Sequence, residues 1–336
     1  MKKTNITPTL DFAIIKYLDK VRLERSEHTA RAYKNALNIF RGVLNEKLLN
    51  PQTTPIEQLT EDIALPFVVH LNGFAPATEK LYLQAIKGFY EYVSAESLAE
   101  INMLYLRNLI NQRARHSHMR QPKLATDDIE HLLNFVSDVS NLKHTASKDT
   151  ETNERLREAR DYAFLLALAD AGLRVHEACN LTCGDMDWNE GRAVIMSNGD
   201  KQAFVRFSTR SMKAINHYLL LRAELDGPSG KQLAVLPLFA RHDKGAGKTI
   251  KTITPTTGRN IVTERVEEIL GKDAVGKITP RSFRHYFVTT ILRASGNLKL
   301  AQELARHSNI QVTQRYAHLS DNELDMGYSE IFEKKD

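Results

Sequence analysis

Residues Ile278–His318 read ITPRSFRHYFVTTILRASGNLKLAQELARHSNIQVTQRYAH, and the rest of the chain is best understood as support for them. Thr279-Pro280 has the form of a helix start, with Thr279 as cap and Pro280 in the first turn, where its missing N–H is not needed. Arg281 and Arg284 follow three apart, a spacing that puts both on one helix face. Two guanidiniums on one face suit a phosphate or carboxylate gripped by forked hydrogen bonds. Taken alone, the pair fits two solvated helix arginines equally well. His285, His307, His318 and the phenol of Tyr316 lie in the same stretch.

With 336 residues, 42% of them hydrophobic, the chain can build two packed domains of ordinary size. A net charge of +5 and a pI near 9.0 are compatible with a nucleic-acid partner without requiring one. The two cysteines, Cys179 and Cys183, are too few for a structural zinc site and have no leader sequence to favour a disulfide, so buried thiols are expected. The start, MKKTNITPTL, has no apolar core after its lysines, and no apolar run approaches the roughly 18 residues that span a bilayer. The expectation is a soluble, cytoplasmic protein with no membrane partner. The loop HDKGAGKTIK (242–251) lacks the glycine–lysine spacing of a nucleotide-binding loop and reads as a basic loop facing DNA or solvent.

Residues 8 to about 112 carry helical periodicity throughout. Thr9–Arg25 places Leu10, Ile14, Ile15, Leu18 and Val21 on one face, and Ser26 caps a second helix striped by Ala30, Tyr33, Leu37, Phe40 and Leu44. A third helix runs from Leu59 to Leu71, and a fourth starts at Ala75-Pro76 with Tyr82, Ile86, Phe89, Tyr90 and Val93 at helical spacing. Arg31, Lys34, Lys80 and Lys87 lie off these stripes, as DNA-phosphate ligands or as ordinary solvated charges. The following stretch carries Arg113, Arg115 and Arg120 with no acidic residue and reads as a basic linker over 113–123.

Thr126 begins another helix, 140–153 reads as a surface loop or as one that extends into the next helix, and YAFLLALAD is apolar nearly all round, as a core helix should be. Gly172 ends it and Arg174 follows, poised to pair with Glu177 or to point into a cleft. Gly191 to Phe207 switches to strand-like content around Asn198-Gly199, a strong hairpin turn. Helices then follow over 212–225 and 256–270.

Three ordered pieces resemble the signature of the tyrosine recombinase (phage integrase) family. They are Thr279 to His285, Leu304-Ala305-Arg306-His307-Ser308, and Val312 to His318 with Tyr316. Ala171-Gly172-Leu173-Arg174 with Glu177, then Leu181-Thr182 and Asp185, resembles the family's first arginine box, and the N-terminal helices resemble its core-binding domain. The resemblance implies a mainly α fold with a small antiparallel β-sheet: an all-helical core-binding domain (1–112), the linker, an α+β catalytic domain (124–320) and a tail (321–336) that docks on a neighbouring protomer or its own domain.

It further implies a Xer-like two-domain, site-specific recombinase that cuts double-stranded DNA through a 3′-phosphotyrosine on Tyr316, without cofactor, metal or ATP, as a homotetramer on two sites. The implied catalytic set is Arg174, Lys201, Arg281, Arg284, His307 and Tyr316, with Glu177 orienting local structure. Three positions depart from the family pattern. Arg281 stands where a histidine is usual, Arg306 where a glycine is usual, and an ungapped count puts Asn198 at the lysine position, with Lys201 nearby. These departures leave two alternatives open: a catalytically silent DNA-binding descendant, and a topoisomerase-like nicking and closing enzyme.

Overall fold

Apolar stripes at helical spacing become two separate cores. The computed structural model describes residues 8–46, 49–113, 126–137, 148–197, 201–243 and 250–316. Chain contacts divide it into two compact units, Met1–Arg120 and Gln121–Asp336.

The first unit is helical. Helices α1 (Leu10–Glu24), α2 (Glu27–Glu46), α3 (Ala64–His70), α4 (Pro76–Ala95) and α5 (Met103–Arg113) bury Leu10, Ile14, Leu37, Phe40, Ile86, Phe89 and Val93 as the periodicity requires, whereas Ile15, next to Ile14 and turned off the stripe, is exposed and Tyr82 is half-buried. Ser26 receives the N–H of Thr29 at the start of α2. Pro76 occupies the first turn of α4, where a residue without an N–H forfeits no helical hydrogen bond. The third helix is shorter than its periodicity suggests: Ile56–Gln58, Glu61–Ile63 and Leu71–Gly73 are 3-10 turns around α3. The basic stretch is also helical at first, because Leu106, Leu109 and Ile110 anchor α5 in the core.

In the second unit, α6 (Thr126–Ser137), α7 (Lys148–Asp170), α8 (Val175–Asn180), α9 (Thr209–Asp226), α10 (Pro255–Leu270) and α11 (Pro280–Ser295) surround a core containing Phe164, Leu166, Leu168, Phe239 and Phe283. Helix α7 starts at Lys148, so the last part of the expected surface loop (140–153) is its first turn. A three-stranded antiparallel sheet, in the order β1 (Met186–Asp187), β2 (Arg192–Ser197) and β3 (Lys201–Arg206), pairs Val194 with Phe204 and Ser197 with Lys201. The Asn198-Gly199 turn lies outside the described residues, and β1 had no signal in the sequence. Cys179 and Cys183 are buried free thiols. His242 does not belong to an exposed basic loop: it is buried, with Nε2 2.7 Å from the Tyr218 hydroxyl. Among the described residues, no helix is long and apolar enough to cross a membrane.

The last elements, α12 (Leu298–Ala305) and α13 (Ile310–Gln314), rest on a small satellite cluster of Val288, Ala301 and Ala305. Phe287, Ile291, Leu292 and Tyr316 pack against it.

Gly172, just after α7, has φ +58°, and a Cβ there would stand 2.3 Å from the Phe287 ring. Gly172→Ala therefore combines a left-handed backbone, costing about 1–2 kcal/mol, with overpacking of about 1–3 kcal/mol. Gly296 shares the backbone (φ +62°) but has nothing within 4 Å, so Gly296→Ala should show the first cost alone. Urea unfolding of the two variants checks this; equal losses would mean that Phe287 moves aside freely.

Candidate active site

The site is assembled around the Gly172 carbonyl. The chain turns left-handed there, and the oxygen accepts from Arg284 Nη1 at 2.5 Å and from Arg306 Nη2 at 3.3 Å. Arg284 Nη2 also donates to the Ala305 carbonyl at the end of α12. One buried guanidinium thus ties α11 to the end of α7 and to α12, segments more than a hundred residues apart in the first case. Two of its five N–H groups point to these carbonyls, leaving three for other acceptors.

Arg174 is the N-cap residue of α8. The Glu177 carboxylate accepts its backbone N–H at 2.8 Å and its Nη1 at 2.7 Å, the pairing that the three-residue spacing allowed. A second guanidinium, Arg306, donates to a Glu177 oxygen at 3.0 Å. The Arg174 side chain remains about a third exposed (32%), while that of Glu177 is 1% exposed. Arg306 occupies the position where the sequence pattern favours glycine, and its φ of +56° explains that preference. Its backbone strain is offset by a buried, charge-assisted bond to Glu177. Three guanidiniums, those of Arg174, Arg284 and Arg306, gather around one carboxylate, so the pocket carries surplus positive charge.

His307 follows directly. Its Nδ1 lies 2.9 Å from the hydroxyl of fully buried Thr313, which fixes the ring, and Gln302 donates to its carbonyl. Tyr316, just beyond α13, sets its ring against His285 with centroids 4.9 Å apart and planes at 45°. Arg281 is exposed and donates from Nε to His285 Nε2 at 3.2 Å. It is therefore placed differently from buried Arg284, although the spacing puts both on one helix. Lys201 opens β3 opposite Ser197; its side chain lies outside the described residues. Gly172, His285 and Thr313 fall within the motif pieces of the sequence, but the contacts they make here carry no local signal.

Burial shapes the titration of these groups. It pushes the Tyr316 phenol above its ordinary 10.0, although Arg281, Arg284 and Arg315 pull the other way. Desolvation outweighs the neighbouring cations, which favour the phenolate. Burial, reinforced by Arg174 and Arg306, brings Arg284 down to about 9, still charged at neutral pH. Burial and the surrounding arginines hold His285 and His307 down to about 4, so both are neutral at pH 7. Burial pushes the Glu177 carboxyl up, but Arg306, the Arg174 backbone N–H and the Arg174 guanidinium together bring it below its usual range.

The shifts of His285, His307 and Glu177 share one sign. Below about pH 6.5 the unfolded chain binds protons that native His285 and His307 refuse until about 4. Glu177 stabilises the fold fully above its unfolded value and loses that contribution as the pH falls through its depressed native value. Stability should therefore drop steadily from pH 6.5 towards 4, and further below. Thermal melts across this range check it, and Glu177→Gln should flatten only the lowest part of the curve.

In the first unit, Arg31 is exposed and 2.9 Å from Glu27, Lys34 and Lys80 are exposed, and Lys87 is 3.8 Å from Glu91. Arg115 and Arg120, and the side chain of Arg113, lie outside the described residues, as do His318 and the tail (321–336). Among the described residues, no group of three His, Cys, Asp or Glu side chains could hold a metal ion.

The sequence profile of the phage integrase family matches residues 123–323. The tyrosine recombinase XerC of Thermodesulfovibrio yellowstonii is 28% identical over 313 residues, covering 92% of each chain. The XerC of Listeria innocua is 27% identical over 319 residues, covering 93% of this chain and 95% of its own. A crystal structure of the XerH site-specific recombinase bound to difH substrate superposes with a TM-score of 0.64 at 19% identity, over 97% of this chain and 85% of that one, and so shares the fold. With most of its second unit matched and the arginines, histidine and tyrosine of the pattern gathered at one place, the chain belongs to the phage integrase family.

Proposed function

We propose that the chain is a Xer-like site-specific tyrosine recombinase, cutting and rejoining double-stranded DNA through a 3′-phosphotyrosine on Tyr316. One observation carries this reading: Arg174, Arg284 and His307, far apart in sequence, converge through Gly172, Ala305 and Glu177 beside the segment bearing Tyr316. Phosphoryl transfer needs positioned reactants and donors around the non-bridging oxygens, and the unspent N–H groups of Arg174 and Arg284 supply them. His307 is a further donor, and Lys201 gives a proton to the departing 5′ oxygen. The bond energy stays in the phosphotyrosine link, so neither metal nor ATP enters the reaction. Arg31, Lys34, Lys80, Lys87, Arg113, Arg115 and Arg120 contact DNA phosphates, the tail (321–336) docks on a neighbouring protomer, and four copies act on two sites in the cytoplasm.

The second reading, a DNA-binding protein without catalysis, is favoured by Arg284 already engaging two main-chain carbonyls and by the exposed Arg281. Incubation with fragmented genomic DNA, followed by denaturation and recovery of covalently attached fragments, separates the two. Recombination predicts one recovered sequence class linked at Tyr316. Binding without any link supports the silent reading, and sequence-independent relaxation of supercoiled DNA supports a nicking and closing enzyme.

A further inference from the structure

We propose that His285 takes the phenolic proton of Tyr316, and that Arg281 holds this base in reserve until a DNA phosphate arrives. The proposal deepens the recombinase reading and rests on it. Helix α11 places Arg281 and His285 one turn apart, with the Arg281 Nε–H directed at His285 Nε2, 3.2 Å away. An arginine N–H can only donate, so Nε2 is the acceptor and the proton of the neutral imidazole sits on Nδ1. That nitrogen is buried, with no hydrogen-bond partner among the described residues. The imidazole packs against the Tyr316 ring at 4.9 Å between centroids with the planes at 45°, which makes it the base in contact with the phenol ring.

Among the described residues, the charged and titratable groups facing His285 are few. Arg281 and Arg284 come from its own helix, Tyr316 from the segment after α13, and His307 from the turn between α12 and α13. Burial and the two arginines keep the imidazole neutral, with its Nε2 lone pair occupied by Arg281. A phosphodiester changes both conditions at once. Its oxygens compete for the exposed Arg281 guanidinium, which frees Nε2, and its charge offsets the cations that keep the imidazole from accepting a proton.

In the resulting step, the Tyr316 O–H bond breaks and its proton passes to His285 Nε2. The phenolic oxygen forms a bond to phosphorus, and the bond from phosphorus to the 5′ oxygen breaks with its electron pair on that oxygen, which takes a proton from Lys201. Religation reverses each transfer, and His285 returns its proton to Tyr316. Arg281, standing where the family pattern has histidine, then binds phosphate, and the proton acceptor lies one helical turn further on.

The test uses the full chain and a nicked duplex bearing the sequence recovered at Tyr316. His285→Gln keeps an acceptor for Arg281, and His285→Phe keeps an aromatic ring against Tyr316. Both should retain DNA binding while forming the covalent adduct about 100-fold more slowly at pH 7. The deficit should shrink only in strongly alkaline solution, above the ordinary phenol value of about 10, because burial holds the Tyr316 proton beyond it. A 5′-bridging phosphorothiolate, whose sulfur leaves without a proton, should not rescue either variant. An unchanged rate in both variants, rescue by the sulfur substrate, or an equal loss at every pH would overturn the assignment. An intact chain that forms no adduct at all would instead overturn the recombinase reading, and this proposal with it.

Discussion

Tyr316→Phe should abolish the covalent DNA adduct while leaving the fold and DNA binding in place. The substitution removes one oxygen and keeps the ring that packs against the satellite cluster and His285. The expected loss is therefore almost entirely chemical. Without a phenol there is no atom to form the phosphotyrosine bond, and the rate should fall by at least about 10⁴-fold, towards the uncatalysed background. Gel analysis of a nicked suicide substrate reads the adduct directly, and retardation of the same DNA reads binding. An adduct that persists in Tyr316→Phe would place the nucleophile elsewhere.

Arg284→Lys should produce the second large loss, although it keeps the charge. An ammonium on a flexible stem cannot span the Gly172 and Ala305 carbonyls while presenting N–H groups to a phosphate. Losing a fixed donor to a developing anionic transition state should slow adduct formation by about 10²–10³-fold. Leaving a buried carbonyl unsatisfied should also cost about 1–3 kcal/mol of stability. Because the charge is preserved, the salt dependence of DNA binding should change little. Full activity in the lysine variant would mean that charge alone suffices at this position.

Much of the architecture was legible because it follows from periodicity. The stripes of α2 and α4, the cap at Ser26 and Pro76 in the first turn of α4 are local features, and local physics settles them. The third helix of the first unit was overread, since Leu59 to Leu71 is apolar enough for a helix but breaks into 3-10 turns on either side of α3. The short strand β1 had no signal because two residues cannot show a period. In the site, Arg174 and Glu177 were readable as a pair from their spacing. The bond from Arg306 to Glu177 was not, because it joins residues 129 positions apart and depends on a left-handed backbone that arginine seldom adopts. The contact of His285 with Tyr316 was hidden for the same reason: it is set by how α11 packs against the end of α13, which no local pattern encodes.

The small cluster beneath α12 and α13 bears on how the nucleophile behaves over time. Its buried members are Val288, Ala301 and Ala305, and two of the three are alanines. Releasing so little apolar surface costs a small fraction of what opening the main core would. The segment carrying Tyr316 is therefore expected to exchange its amide hydrogens sooner than the helices of the main core.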